Sequence, residues 1–61
     1  MNMIKYYREY YTISQRELSR KAEISHVEMH YIEVGKRIPN VFIAIRIAKA
    51  LNVPVEGLFI E

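Results

Sequence analysis

A serine followed three residues later by a glutamate occurs twice in this chain, at Ser14 and Glu17 and again at Ser25 and Glu28. Each is a helix-start signal. The hydroxyl accepts a hydrogen bond from the backbone N–H three residues on, and the carboxylate can reach back to the serine N–H. One helix therefore begins at Gln15 and a second just after Ser25. The first of them ends at about Lys21 or Ala22, after which a turn of about three residues leads into the second. Two short helices joined by a tight turn are thus set before any other element is considered.

Helical spacing accounts for the rest. Ile4, Tyr7 and Tyr11 recur at i, i+3 and i+7, which predicts a first helix over about residues 3–11 with these three as its buried stripe. Tyr6 and Tyr10 lie on another side and are expected to pair at i, i+4. The five tyrosines are read as the edge of a core rather than as a stacking platform for single strands. In the helix from Gln15, Leu18 and Ala22 point inward and Arg16, Arg20 and Lys21 outward. In the helix from Ser25, Met29 and Ile32 face one way and His26, Val27, His30 and Tyr31 the other. Gly35 ends that helix, and Pro39 keeps Ile38 out of helical geometry, so residues 36–39 form a loop. Asn40 caps a fourth helix over about residues 41–51, with Val41, Ala44, Ile45, Ala48 and Leu51 expected inside. Asn52 and Val53 break it. Pro54, at a first helical position, starts a short last helix through Leu58, and Leu58 and Phe59 close the core. No strand-like alternation occurs. The expected fold is all-α, five short helices around one core, in a single domain over residues 1–61.

Composition sharpens this. Sixty-one residues supply one core, and with no cysteine neither a disulfide nor a thiolate metal site is available. The chain must pack tightly or associate. Half of it is hydrophobic, at 51%, yet no apolar run exceeds the five residues Val41–Ile45, far below the roughly 20 that span a bilayer. No basic cap followed by an apolar run opens the chain, so a soluble, cytoplasmic protein without membrane attachment is expected. His26 and His30 stand at i, i+4, a zinc-compatible spacing, but no third ligand accompanies them; no metal and no cofactor are expected. A chain this short has no room for a sheltered pocket with nucleophile, base and orienting group, which argues against an enzyme.

The net charge is +2, and all seven acids are glutamates. Its distribution is uneven: residues 1–22 carry +3, residues 23–34 carry −3 from Glu23, Glu28 and Glu33 with no Lys or Arg, and residues 35–61 carry +2.

The string Ile4-Lys5-x-x-Arg8, Ile13-Ser14-Gln15-x-Glu17-Leu18, Ala22, Ile24-Ser25, Ile32-Glu33-x-Gly35-Lys36-Arg37-x-Pro39 and Ile47-Ala48-Lys49-Ala50-Leu51-Asn52-Val53 resembles the lambda-repressor-like, Cro and cI type helix-turn-helix family. The resemblance covers about residues 4–59, with the helix-turn-helix motif at about 15–34. It implies a regulator that binds double-stranded DNA as a homodimer on a palindromic operator, with the third helix in the major groove. Base reading then falls to His26, Val27, Glu28, His30 and Tyr31. Phosphate contacts fall to Gln15, Arg16, Ser25, Lys36, Arg37 and Asn40, and Gln15 sits where a helix start offers free N–H groups. Arg8 and Glu33 match a structural ion pair between the first helix and the end of the third. Val53, Val55 and Ile60 match the dimer-forming end of the chain.

Two departures stand out. The family usually has glycine at the end of the first helix and in the turn of the motif, where this chain has Thr12 and Glu23. A β-branched Thr12 disfavours positive φ, so the first helix is expected to end without a left-handed residue, whereas Glu23 can adopt one at a cost of roughly 1–2 kcal/mol. The reading face also lacks Arg, Lys, Gln and Asn, the usual partners of guanine and adenine. Arg37, from its place in the loop, is expected to weaken binding to all sequences alike when removed. Phe42 is expected either to fill space beside the small Ala44 or to join Ile43, Val53, Val55 and Ile60 in an apolar patch. The alternative function is a protein-interaction module on the same fold, such as an antitoxin.

Overall fold

Both serines cap helices. Ser14 Oγ accepts from the Glu17 N–H at 3.0 Å and Ser25 Oγ from the Glu28 N–H at 3.0 Å. In the computed structural model, which describes residues 2–59, the helices are α1 (Ile4–Tyr10), α2 (Gln15–Ala22), α3 (His26–Glu33), α4 (Val41–Leu51) and α5 (Val55–Leu58). The reciprocal half of each capping box is absent. Glu17 instead takes Arg20 at 2.6 Å and Glu28 takes Arg37 at 2.9 Å, because a guanidinium offers a charge-assisted bond that outcompetes a neutral backbone N–H.

The core consists of Ile4, Leu18, Ala22, Met29, Ile32, Ile47, Ala48, Leu51 and Leu58. Each large member stabilises the fold by roughly 1.5–3 kcal/mol through removal from water. The second helix is central, packing on both α3 and α4, while α5 packs on α4. That arrangement holds α3 on the outside with Met29 and Ile32 turned in.

The expected inner stripe of α4 is corrected toward Ile47. Ala44, Ile47, Ala48 and Leu51 are buried, whereas Val41 and Ile45 are exposed. This helix is apolar on nearly every side, so two neighbouring stripes satisfy the same periodicity. Arg46 decides between them: its Nε donates to the Ala22 carbonyl at 2.8 Å, locking α4 against the end of α2. Phe42, at 70% exposure, fills no space in the core.

The first helix also differs. It stops at Tyr10, leaving Tyr11 exposed rather than on a buried stripe. Its rings pair with sequence neighbours, Tyr6 edge-on to Tyr7 and Tyr10 edge-on to Tyr11, each at 5.1 Å, and not at i, i+4. The reason is the helix end. Thr12 takes φ +60° against expectation, and the chain turns there with Thr12 N–H bonded to the Glu9 carbonyl and Ile13 N–H to the Arg8 carbonyl. Glu23 adopts the same left-handed geometry after α2. Pro54 serves as N-cap of α5 rather than as its first helical residue. Asn2 and Phe59 form an isolated antiparallel bridge that periodicity does not announce, with Met3 N–H donating to the Leu58 carbonyl at 2.7 Å.

Candidate nucleic-acid interface

The turn between α2 and α3 presents one exposed surface. His26, Val27, His30 and Tyr31 are exposed along the outer face of α3, and Glu28 is half-buried among them. Gln15, first residue of α2, meets the first residue of α3: His26 Nε2 and Gln15 Oε1 lie 3.0 Å apart. With His26 donating, the Gln15 amide N–H groups stay available beside the unpaired N–H groups that begin a helix.

Arg16, Lys36 and Arg37 are exposed. The acceptor oxygens of Ser25 and Asn40 are occupied as helix caps, Ser25 by the Glu28 N–H and Asn40 by the Ile43 N–H at 2.9 Å. Their donor groups, the hydroxyl hydrogen and the side-chain amide, remain for an incoming acceptor.

Two glutamates of the acidic stretch are hydrogen-bonded to arginines from outside it, and a third arginine stands near the remaining one. Arg8 binds Glu33 through Nε at 3.0 Å and Nη2 at 2.9 Å, and its Nη1 donates to the Ile13 carbonyl at 3.0 Å. These side chains are only 14% and 5% exposed, so the pair ties α1 to the end of α3 with its donors satisfied. The hydrogen bond to Glu33 raises the Arg8 pKa above its ordinary value, keeping the guanidinium charged. Arg37 meets Glu28 at 2.9 Å, and Arg46 approaches Glu23 at 4.0 Å. The first two bridges cross 25 and 9 residues of chain, respectively, which is why helical periodicity does not reveal them.

Three further contacts escape a sequence reading. Asn2 Nδ2 donates to the Ile32 carbonyl at 2.8 Å while its Oδ1 accepts from the Ile4 N–H, joining the start of α1 to α3. Ser19 is buried and its hydroxyl is returned to the Arg16 carbonyl at 2.7 Å. Arg46 supports the end of α2 as described above. An asparagine ahead of the first helix is the only local signal among these.

Val53 and Val55 are half-buried and pack against the core; Ile60 lies outside the described residues. Exposed apolar side chains near the motif include Ile38, at 91%, and Val41, Phe42 and Ile45 on the first turns of α4. Among the described residues no group of three His, Cys, Asp or Glu is placed to hold a metal ion, and no helix is long and apolar enough to cross a membrane.

A helix-turn-helix family model matches residues 4–58. Similar proteins include an uncharacterized HTH-type transcriptional regulator of Methanocaldococcus jannaschii, 37% identical over 59 residues that make up 97% of this chain and 89% of the relative. Two uncharacterized HTH-type transcriptional regulators of Archaeoglobus fulgidus are 33% and 30% identical over 57 residues each, 93% of this chain and 81% and 80% of theirs. With five helices in this order, α2 and α3 joined by a tight turn and the family match spanning nearly all of it, the chain belongs to the lambda-repressor-like, Cro and cI type helix-turn-helix family.

Proposed function

We propose that this protein is a sequence-specific regulator of transcription, a repressor that occupies a palindromic operator in the cytoplasm as a homodimer and performs no enzymatic chemistry. The observation that carries the reading is the pairing of Glu23, Glu28 and Glu33 with Arg46, Arg37 and Arg8. It lessens the electrostatic objection to an acidic recognition helix near phosphates, above all at Glu28 and Glu33 where the contacts are hydrogen bonds. The third helix then enters the major groove with His26, Val27, Glu28, His30 and Tyr31 at base edges, while Gln15, Arg16, Ser25, Lys36, Arg37 and Asn40 hold the backbone.

Size supports the homodimer. Successive major grooves on one face of DNA lie about 34 Å apart, and the longest extent of the described residues is 25 Å. Two copies are needed to read both. The family resemblance assigns their contact to Val53, Val55 and Ile60.

Selection of binding sites from random duplex DNA tests the reading: a two-fold-symmetric sequence is expected, with half-sites one helical turn apart. Failure to enrich any sequence removes it. A second reading, an interaction module such as an antitoxin, is favoured by the exposed Ile38, Val41, Phe42 and Ile45. Salt separates the two, since DNA affinity falls with a log–log slope of roughly 0.9 per phosphate contacted and an apolar protein contact barely responds.

A further inference from the structure

The recognition helix lacks a side chain suited to guanine, yet a guanidinium lies on its exposed face. Arg37 belongs to the loop after α3, and the loop doubles back. The Lys36 and Arg37 N–H groups both donate to the Tyr31 carbonyl, at 2.9 and 3.1 Å, so residue 37 is returned to the last turn of the helix it has just left. From there its side chain runs toward the start of α3. The guanidinium carbon stands 5.7 Å from the centre of the Tyr31 ring, and Nη1 donates to Glu28 Oε1 at 2.9 Å. Tyr31 and Glu28 are one turn apart on the face assigned to base reading, so Arg37 crosses that face. Tyr31, Lys36 and Arg37 line a shallow open depression there.

We infer that Arg37 is a base-reading residue, donating from its Nε and Nη2 edge to O6 and N7 of a guanine in the major groove, with Glu28 and Tyr31 as its positioning residues. This rests on the DNA-binding function proposed above and changes two roles within it. A phosphate contact needs only a mobile cation, and the exposed lysine next to it already supplies one. A guanine contact needs a planar fork held in one orientation. The structure shows such restraint at three points: the backbone bond to Tyr31, the ring beneath the guanidinium and the Glu28 carboxylate at one end. The Nε and Nη2 edge makes no hydrogen bond among the described residues and the side chain is exposed, so two parallel donors are left for a ligand. Glu28 is thereby a holder of Arg37 rather than an acceptor for cytosine. An exposed bridge of this kind adds little to stability, and its consequence is orientation.

The experiment is site selection from random duplex DNA with the full chain, comparing wild type, Arg37→Lys and Glu28→Gln, followed by affinity measurements on the selected site and on single-base variants. Arg37→Lys keeps the charge and loses the fork. It is expected to erase a guanine preference of roughly tenfold to a hundredfold at one position of each half-site, while the other positions keep theirs. Glu28→Gln is expected to broaden that same position and no other. If Arg37→Lys leaves the selected sequence unchanged, whether binding weakens or not, the residue grips the backbone and this inference falls alone. If the wild type enriches nothing, the DNA-reading function falls and this inference with it.

Discussion

Thr12 holds a backbone conformation its own side chain resists. At φ +60° a β-branched residue gives up roughly 1–2 kcal/mol relative to a right-handed conformation, and the two hydrogen bonds that close the end of α1 offset it. Replacing Thr12 with glycine relieves that strain but adds backbone freedom to the unfolded chain, so Thr12→Gly is expected to stabilise the protein by about 0.5–1 kcal/mol, read as a higher urea midpoint. Gly35 is the reverse case. A Cβ there meets nothing within 4 Å, yet φ +83° makes Gly35→Ala destabilising by about 1 kcal/mol through the backbone alone. The Arg8–Glu33 pair is the other residue-scale determinant. Glu33→Ala leaves a largely buried guanidinium without its partner, at a cost of roughly 3–5 kcal/mol, whereas the double change Arg8→Met with Glu33→Leu is expected to cost less than that single one. Chemical denaturation of the three variants checks this.

At the scale of elements, the helices begin by one rule and end by another. Ser14, Ser25 and Asn40 each accept from the backbone N–H three residues on, and each is legible because the chemistry lies inside one turn. The first four helices end at a left-handed residue, and only at Gly35 is it a glycine; Thr12, Glu23 and Asn52 take the position elsewhere. Only Gly35 and Asn52 advertise their role, since those residue types tolerate that conformation. On the surface of α2, the Arg20 guanidinium holds the Glu17 carboxyl below its ordinary range. The folded-state value lies below the unfolded one, so the contribution is complete above about 4.5 and is lost as pH falls through the folded value. Thermal unfolding of Arg20→Ala is therefore expected to differ from wild type near neutral pH, with the gap closing as acid is added below that point.

For the whole molecule, the two limits of the described residues are joined, with Asn2 bridged to Phe59 and Asn2 also bonded to the end of α3. The third helix is thus braced by Asn2 as well as by α2. Association is the property that the proposed operator reading requires, and two apolar regions compete for it. Placing the contact at Val53, Val55 and Ile60 predicts that Ile60→Asp raises the dimer dissociation constant by roughly tenfold or more, as loss of one isoleucine side chain from an apolar contact implies, while Phe42→Ser leaves it unchanged. Light scattering at micromolar concentration reads both; dissociation by Phe42→Ser moves the interface to the first turns of α4.

What the sequence determined by itself is everything closed by short-range chemistry: three helix starts, the loop held open by Pro39, the outward face of α3 and the inward pairs Leu18 with Ala22 and Met29 with Ile32. Those features depend on bonds or spacings within about four residues, where little chain entropy is spent on closure. The tertiary structure decided the rest. It selected which stripe of the apolar α4 turns inward, through a bond from Arg46 to Ala22 across 24 residues. It imposed left-handed backbone on Thr12, where two hydrogen bonds to the Glu9 and Arg8 carbonyls close the end of α1. It also found an arginine for each glutamate of the acidic stretch, since charges far apart in the chain meet only once the core has brought their helices together.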